Sequence, residues 1–184
     1  MDQPGTAGHE AAPKETPLFA LHQELGGKIV PFAGYALPVQ YPAGIMAEHK
    51  QTRDSAGLFD VSHMGQLKLE GADRVAALEA LVPADLAGLA VGRQRYGFFT
   101  NDQGGILDDL MVCRVEDGLM VVVNAACKEN DIAVIADAMP SSVTVDVLDD
   151  RALLALQGPK AADVLQRFVE TDLSLHRFMA SVPL

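Results

Sequence analysis

Tryptophan is absent from this 184-residue sequence, and only 5% of its residues are aromatic and only two are cysteine. The cysteines, Cys113 and Cys127, form neither a CxxC pair nor any other spacing typical of metal ligands, so no metal site is predicted. We interpret them as small buried thiols in a reducing compartment. No stretch approaches the ~20 apolar residues needed to span a bilayer, so no membrane partner is expected.

Basic residues are also scarce, because 14 lysines and arginines stand against 25 aspartates and glutamates, which gives a formal net charge of −11. Binding to a phosphate backbone needs clustered lysine and arginine, so a nucleic-acid partner is not expected. Hydrophobic residues make up 49% of the chain and charged residues 21%, which is typical of a soluble globular protein. The length suffices for one or two compact domains.

The first fifteen residues contain neither a hydrophobic core nor an arginine, and they fit neither a secretory signal nor a transit peptide. We predict a disordered N-terminal tail over residues 1–15. In the absence of a targeting signal, the sequence predicts a cytoplasmic location.

The rest of the chain alternates between hairpin-like strands and helical segments. Thr16 and Pro17 predict the start of a helix, with Thr16 as its cap, and Gly26–Gly27 predict its end. Two apolar strands flank Glu116–Gly118, which predicts a hairpin. The fold class predicted from these patterns is α+β, with antiparallel sheets and covering helices.

The sharpest candidate site is the segment NDQGGILDDL, residues 101–110. Neighbouring residues of a strand face opposite ways. Asp108 and Asp109 should therefore lie on different faces, which are otherwise apolar: Ile106, Leu110 and Val112 on the first, Leu107, Met111 and Cys113 on the second. Desolvation on such a face raises a carboxyl pKa, which suits proton handling near neutral pH. The alternative is structural, with one aspartate capping a turn and the other meeting a backbone amide or a lysine.

Four further residues are candidates for a binding site. Asn124 ends a valine run, and its amide offers donors and an acceptor to the edge of a heterocycle; the alternative is a cap for the next helix. Met64 is either a pocket residue or core filler, and Tyr96 lies in a strand near the acidic turn. His63 is interpreted as structural, because no second ligand lies at a metal spacing and no serine forms a nucleophile elbow.

Five segments, taken together, resemble the glycine cleavage system T protein family of aminomethyltransferases. They occur in the family's order and at its spacing, from about Thr16 to the end of the chain: TPLFALHQELGGKIVPFAGYALPVQY, GLFDVSHMG, NDQGGILDDL, VVVNAACKEND and ALLALQGP. The resemblance implies a three-lobed fold around a central folate site. Here it implies an incomplete first lobe from residues 16–60 plus 151–184, and a second lobe from residues 61–150.

The resemblance also implies an activity and a set of site residues. The family moves a one-carbon unit from the aminomethyl-lipoyl arm of H protein to tetrahydrofolate, and ammonia is released. By resemblance, Asp109 is the acidic residue nearest the reacting folate nitrogens and is the catalytic residue. Met64, Tyr96, Val122 and Asn124 match positions that line the pterin and aminobenzoate pocket together with Asp109. Asp108 is expected to support the local backbone.

The sequence departs from the family in length, since Leu184 precedes the stretch that completes the folate site and the whole third lobe. We therefore expect a truncated form that is weak or inactive alone, with exposed apolar surface unless a second chain supplies the C-terminal half. One alternative is a non-catalytic folate-binding module, such as the related regulator of RNA modification and iron–sulfur assembly. Another is the folate-linked domain of a demethylating oxidase, which the missing dinucleotide fingerprint argues against.

Overall fold

Strands and helices follow one another along the chain as the hydrophobic pattern predicts. The computed structural model describes residues 12–184. In chain order the elements are β1 (Lys14–Glu15), α1 (Phe19–Glu24), β2 (Ile29–Phe32), β3 (Tyr35–Pro38), α2 (Ile45–Asp54), β4 (Gly57–Asp60), β5 (Gly65–Glu70), α3 (Arg74–Glu79), β6 (Arg93–Thr100), β7 (Ile106–Val115), β8 (Gly118–Val123), α4 (Lys128–Ala138), β9 (Thr144–Val147), β10 (Leu154–Gln157), α5 (Ala161–Leu165) and a 3₁₀ helix, Leu173–Leu175.

The strands form one large sheet and two small ones. The large sheet has the order β6-β7-β8-β5-β9, and all its neighbouring strands are antiparallel. A second sheet has the order β1-β3-β2, and β4 pairs with β10 in a third. Only the short β1–β3 pair is parallel among the described residues. The predicted α+β fold with antiparallel sheets is confirmed.

The structure describes only the last part of the predicted disordered tail, residues 12–15. Residues 1–11 of the predicted disordered segment lie outside the described residues. Lys14–Glu15, at its end, pair with Tyr35 and Ala36, so the boundary at residue 15 is wrong. The backbone groups of this short segment are satisfied by strand pairing.

The predicted helix cap at Thr16 is also wrong. The helix begins at Phe19, and its first turn has no side-chain cap. The Thr16 hydroxyl instead donates to Asp60 Oδ2 at 2.7 Å, so it is engaged in a tertiary contact. The predicted end is confirmed, because the helix stops at Glu24 and Gly26 has a φ of 72°, which a glycine adopts without strain.

The β7–β8 hairpin confirms the turn predicted at Glu116–Gly118, but a β-bulge interrupts the alternation at the other end of β7. Asp108 pairs with Phe99, while Ile106 pairs with Thr100, so Leu107 is an extra residue. Ile106 and Leu107 are both exposed, at 65% and 53%. The predicted assignment of side chains to the two faces of β7 is therefore correct from Asp108 onward and wrong for Ile106 and Leu107.

The hydrophobic core lies between the large sheet and the helices α3 and α4. Alternate residues of β5, β7 and β8 point into it, together with Leu78 of α3 and Ile135 of α4. These side chains are almost fully buried: Leu67, Leu69, Leu110, Val112, Leu119, Val121 and Val123. Burial of each such side chain contributes about 1.5–3 kcal/mol. The opposite face of the same strands is left for other contacts.

Apolar side chains are exposed on the small β4–β10 sheet and in the C-terminal segment. Leu58, Phe59 and Leu154 are exposed on the sheet, and Phe168 and Phe178 are exposed beyond it. This agrees with the expected exposure of apolar surface in the first lobe. None of the helices within residues 12–184 has the length and apolar character needed to cross a membrane.

Replacing Leu69 by alanine should lower the free energy of unfolding by about 2–5 kcal/mol, because it opens a cavity under the centre of the large sheet. Leu69 is fully buried, whereas Leu107 is 53% exposed and serves as a matched leucine control. Leu107→Ala should cost less than about 1 kcal/mol. Urea unfolding measures both, and equal losses would contradict the assigned core.

Candidate functional site

Strand pairing brings most of the predicted site residues onto one face of the large sheet. Tyr96 of β6 pairs with Met111 of β7, which pairs with Val122 of β8, so these side chains form a row across three strands. Asp109 lies two residues before Met111 and shares its face. We call this face the site face, defined by Tyr96, Phe98, Asp109, Met111 and Val122. It lies opposite the face that packs on the helices.

Asn124 and Met64 lie at the edge of this arrangement. Asn124 follows the last residue of β8, and Met64 precedes the first residue of β5, whose Gly65 pairs with Val123. Met64 also lines a cavity of about 380 Å³ with Tyr35, among other residues. The other four predicted residues do not line that cavity, so Met64 is the least directly connected of the five.

Asn124 bridges the two adjacent aspartates. Its Nδ2 donates to Asp109 Oδ1 at 2.7 Å, to Asp108 Oδ1 at 3.0 Å and to the Asp109 carbonyl at 3.3 Å. The next helix begins after Cys127, so Asn124 is not its cap. The amide donors of Asn124 are therefore engaged with the acids, and this side chain orients them.

Asp109 is half-buried and meets Tyr96 on the site face. Hydrogen bonding to Asp109 raises the pKa of Tyr96, and partial desolvation adds to this. Tyr96 is 48% exposed and packs edge-on against Phe98, with ring centroids 5.1 Å apart. Asp109 thus has an amide on one side and a phenol on the other, beside exposed aromatic surface.

Asp108 points to the helix side of the sheet, and its environment corrects one expectation. Desolvation is the largest effect on Asp108 and raises its pKa. The hydrogen bonds that it accepts, from Asn124 first and then from the Asp109 backbone amide, together outweigh desolvation and hold the pKa below its ordinary value. The raised pKa predicted for an aspartate on an apolar face does not apply to Asp108, because donors surround it.

His63 was expected to be a structural hydrogen-bonding residue, but the described contacts of its ring are aromatic. Its ring lies edge-on to Phe32 and Tyr35, with centroids 5.6 Å and 6.2 Å away. Nδ1 has no hydrogen-bond partner in the described part of the chain, and burial lowers the pKa of the ring. Among residues 12–184, no three His, Cys, Asp or Glu side chains are grouped to hold a metal.

A second polar cluster, missed by sequence reasoning, ties α1 to β4. His22 Nε2 lies 2.9 Å from Asp60 Oδ2, and His22 Nδ1 lies 2.7 Å from the Tyr41 hydroxyl. Asp60 also accepts from Thr16 and from the Ser62 backbone amide. The side chains of His22 and Asp60 are 6% and 2% exposed. Partners more than 15 residues apart leave no signal in a local sequence pattern.

The donors around Asp60 determine its charge. Desolvation is the largest effect and raises the pKa of Asp60, but hydrogen bonds from Ser62, Thr16 and His22 together lower the pKa below 3.8. Because Asp60 is an acceptor, His22 Nε2 carries a hydrogen, and Nδ1 on the other side of the ring bonds to the Tyr41 hydroxyl. The cluster is a satisfied buried network that positions α1.

A family model described as "GCVT N-terminal domain" matches residues 18–182, which include the whole large sheet and the paired acids. The chain belongs to this family. It is 46% identical to the mitochondrial aminomethyltransferase of Dictyostelium discoideum, covering 93% of this chain and 45% of the relative. It is 44% identical to an aminomethyltransferase of Deinococcus deserti, covering 95% and 49%. The resemblance found in five sequence segments is confirmed.

A solved structure agrees with these relatives. The glycine cleavage system aminomethyltransferase T from Bartonella henselae superposes with a TM-score of 0.84 at 40% identity, covering 91% of this chain and 46% of that one. The chain therefore spans about half the length of the relatives it matches. It matches the N-terminal half of the family fold.

The predicted cytoplasmic location is wrong as a conclusion from this sequence. Relatives at 46% and 47% identity, from Dictyostelium discoideum and Homo sapiens, are mitochondrial aminomethyltransferases. The family therefore includes mitochondrial proteins, which the prediction did not allow for.

Replacing Asp60 by asparagine should destabilise the protein by about 1–3 kcal/mol at pH 7, because buried donors lose an ionised acceptor. The lowered pKa of Asp60 means that its contribution is complete above 3.8 and is lost as the pH falls through the folded value. The stability difference should therefore shrink in strong acid. Denaturant unfolding across pH measures this, with the exposed Asp54→Asn as control; a gap that is independent of pH would contradict it.

Proposed function

We propose that this chain is the N-terminal part of a tetrahydrofolate-dependent aminomethyltransferase of glycine cleavage, in which Asp109 is the catalytic residue. The observation that carries the proposal is the 2.7 Å bond from Asn124 to Asp109 on the site face of a domain of this family. The proposed donor is the aminomethyl-lipoyl arm of H protein. Because the chain spans about half its relatives' length, the complete activity would require the remaining half.

The site face fits a reduced pterin for two reasons. Tyr96 offers an exposed aromatic ring, supported edge-on by the half-buried Phe98, on which a flat heterocycle can stack. Asp109 offers a half-buried carboxylate that accepts from ring N–H groups. Bound tetrahydrofolate would supply the nitrogen nucleophiles that accept the one-carbon unit. Met111 and Val122 lie between Tyr96 and the end of β8 and would form the apolar floor.

Asp109 would act by orientation and charge. A carboxylate fixed by Asn124 keeps one geometry, so it can orient the pterin without the entropic cost of immobilising a free side chain. A preorganised negative charge also stabilises positive charge that develops on the transferred carbon and nitrogen. Tyr96 would hold the second side of the carboxylate. Met64 and Val122 remain proposed lining residues.

We also propose the division into lobes implied by the resemblance, residues 16–60 plus 151–184 and residues 61–150. The antiparallel pairing of β4 with β10, from Leu154 opposite Asp60 to Gln157 opposite Gly57, supports it by joining the two parts of the first lobe. The C-terminal segment also contacts β6, because the Gln94 amide donates to the Met179 carbonyl. The exposed apolar residues of β4 and β10 support a cover supplied by the remaining half of the protein.

Replacing Asp109 by asparagine should lower aminomethyl transfer about 100-fold, because the site loses its preorganised charge. Transfer is measured with aminomethylated H protein after this chain is combined with the C-terminal half of a relative. Asp102→Asn, in the exposed turn before β7, is the matched control and should keep full activity. Unchanged turnover in the Asp109 variant, with unchanged circular dichroism, would remove Asp109 from the mechanism.

Replacing Asn124 by alanine should weaken folate binding about tenfold, because Asp108 and Asp109 lose their shared donor. Calorimetry with 5-formyltetrahydrofolate, which is stable in air, measures the affinity. Gln103→Ala removes an exposed amide from the nearby turn and serves as the control. An affinity equal to that of the unchanged chain would reject the role of Asn124.

A further inference from the structure

Asp131 is a buried acid to which the proposed chemistry assigns no part. It lies in the first turn of α4 and is only 1% exposed. It comes four residues before Ile135, so both side chains lie on the helix face that packs on the core. Its carboxyl lies within hydrogen-bonding reach of Asp108 on the helix side of β7. The half-buried Asp108 and the buried Asp131 therefore meet directly behind the site face.

Both members of this pair have an unsatisfied oxygen. Oδ2 of Asp131 and Oδ2 of Asp108 are buried without a hydrogen-bond partner among residues 12–184. Two ionised carboxylates offer only acceptors to each other, so their contact is repulsive. One proton between them converts the contact into an O–H···O hydrogen bond and satisfies an oxygen on each side. A carboxyl–carboxylate pair that shares a single proton accounts for both buried, unpartnered oxygens.

The surrounding donors decide which carboxyl holds the proton. Asn124 and the backbone amide of Asp109 both donate to Asp108 Oδ1, at 3.0 Å and 2.8 Å, and the Cys127 thiol also bonds to Asp108. These donors favour the ionised form of Asp108. The proton therefore rests on Asp131, whose pKa is raised to about 7, by desolvation first and then by Asp108.

The other groups around Asp131 do not reverse this assignment. A hydrogen bond with Asn130 lowers the pKa of Asp131, but this effect is smaller than those of desolvation and of Asp108, and the negative charge of Asp109 raises the pKa slightly further. The first turn of a helix also favours a negative charge. Within the described residues, no lysine or arginine forms a salt bridge with Asp108, Asp109 or Asp131. A proton on Asp131, in place of a salt bridge, therefore removes one of the two negative charges of the pair.

We propose that Asp131 is a positioning residue whose protonated carboxyl donates a hydrogen bond to Asp108. This hydrogen bond fixes Asp108 and Asn124 and, through them, the carboxylate of Asp109. The chain of contacts is continuous, because Asn124 Nδ2 bonds to Asp108 and Asp109 together. The proton stays on Asp131, and the hydrogen bond to Asp108 is lost only when Asp131 ionises. The positioning role rests on the proposed function, whereas the shared proton does not.

Ionisation of Asp131 should weaken the arrangement. Above a pH of about 7 the two carboxylates repel each other, and Asp108 loses its fixed position beside Asn124. Folate affinity should therefore fall as the pH rises through about 7. Stability should change with pH in the same direction. Because the pKa of Asp131 is raised in the folded protein, its contribution to stability is complete below 3.8 and is lost as the pH rises through its pKa in the folded state.

Three variants of the 184-residue chain test the proposal. Asp131→Asn keeps the shape of the side chain and supplies a permanent amide donor. Its affinity for 5-formyltetrahydrofolate at about pH 6 should be within about twofold of that of the unchanged chain. At about pH 8.5 it should not show the loss of affinity expected for the unchanged chain. Asp131→Leu has no donor and should bind at least about tenfold more weakly at both pH values. Asp137→Asn, exposed on the same helix, should behave as the unchanged chain.

A readout that needs no folate separates this inference from the proposed function. Carbon-13 NMR of the Asp131 carboxyl in the unchanged chain should show a titration near pH 7, and the melting temperature should fall relative to Asp131→Asn as the pH rises to about 7. A carboxyl that titrates below about pH 5 would overturn the shared proton. If it titrates near 7 while Asp131→Asn binds as weakly as Asp131→Leu, the positioning role is overturned. If the unchanged chain binds no folate even when it is combined with the C-terminal half of a relative, the proposed function fails, and NMR still decides the shared proton.

Discussion

The antiparallel pairing of β7 with β8 is the constraint on which the candidate site depends. It places the end of β8 beside the acidic pair, so that the amide of Asn124 reaches both Asp108 and Asp109. A shift of one residue in this register would send every side chain of the strand to the other face. The apolar residues that alternate along both strands prevent such a shift, because they fill the core under α3 and α4. Core packing thus fixes the geometry of the opposite face.

The protein surrounds Asp108 and Asp60 with donors other than lysine and arginine. Asp108 accepts from an amide side chain and a backbone amide, and Asp60 from the Thr16 hydroxyl, a backbone amide and a histidine ring. Neutral donors cost less to desolvate than cations, and they fix the direction of each carboxylate oxygen. Within residues 12–184, no lysine or arginine forms a salt bridge with Asp108 or Asp109, so their negative charge is not paired with a cation there. Such a site favours developing positive charge.

The family relationship and the exposed apolar surface have a common explanation. The chain corresponds to about half of its relatives, and the β4–β10 sheet has only two strands, with Leu58, Phe59 and Leu154 exposed. A two-stranded sheet is marginal without a covering layer. The large sheet, in contrast, has its own helices and a continuous core. The site face is therefore carried by the part of the chain that is structurally self-sufficient.

Local sequence signals were sufficient for the elements whose determinants are close together. The α+β class and the Glu116–Gly118 hairpin follow from alternation and turn residues, and the structure agrees with both. Family resemblance named Tyr96, Val122 and Asn124 as partners of Asp109, and strand pairing brings them together, although their roles stay proposals. The Thr16 cap failed because a distant acid, Asp60, competes for the same hydroxyl.

Contacts between distant residues were decided by the tertiary structure alone. No sequence pattern singled out Asp131, which the fold buries on α4 and brings to Asp108. The β-bulge at Leu107 and the hydrogen bond between His22 and Asp60 were likewise not predicted from the sequence. The sequence by itself determined the order of the elements and their buried faces, because periodicity is local. The direction and protonation of each carboxyl depend on which donors the completed fold brings to it, and only the tertiary structure could decide that.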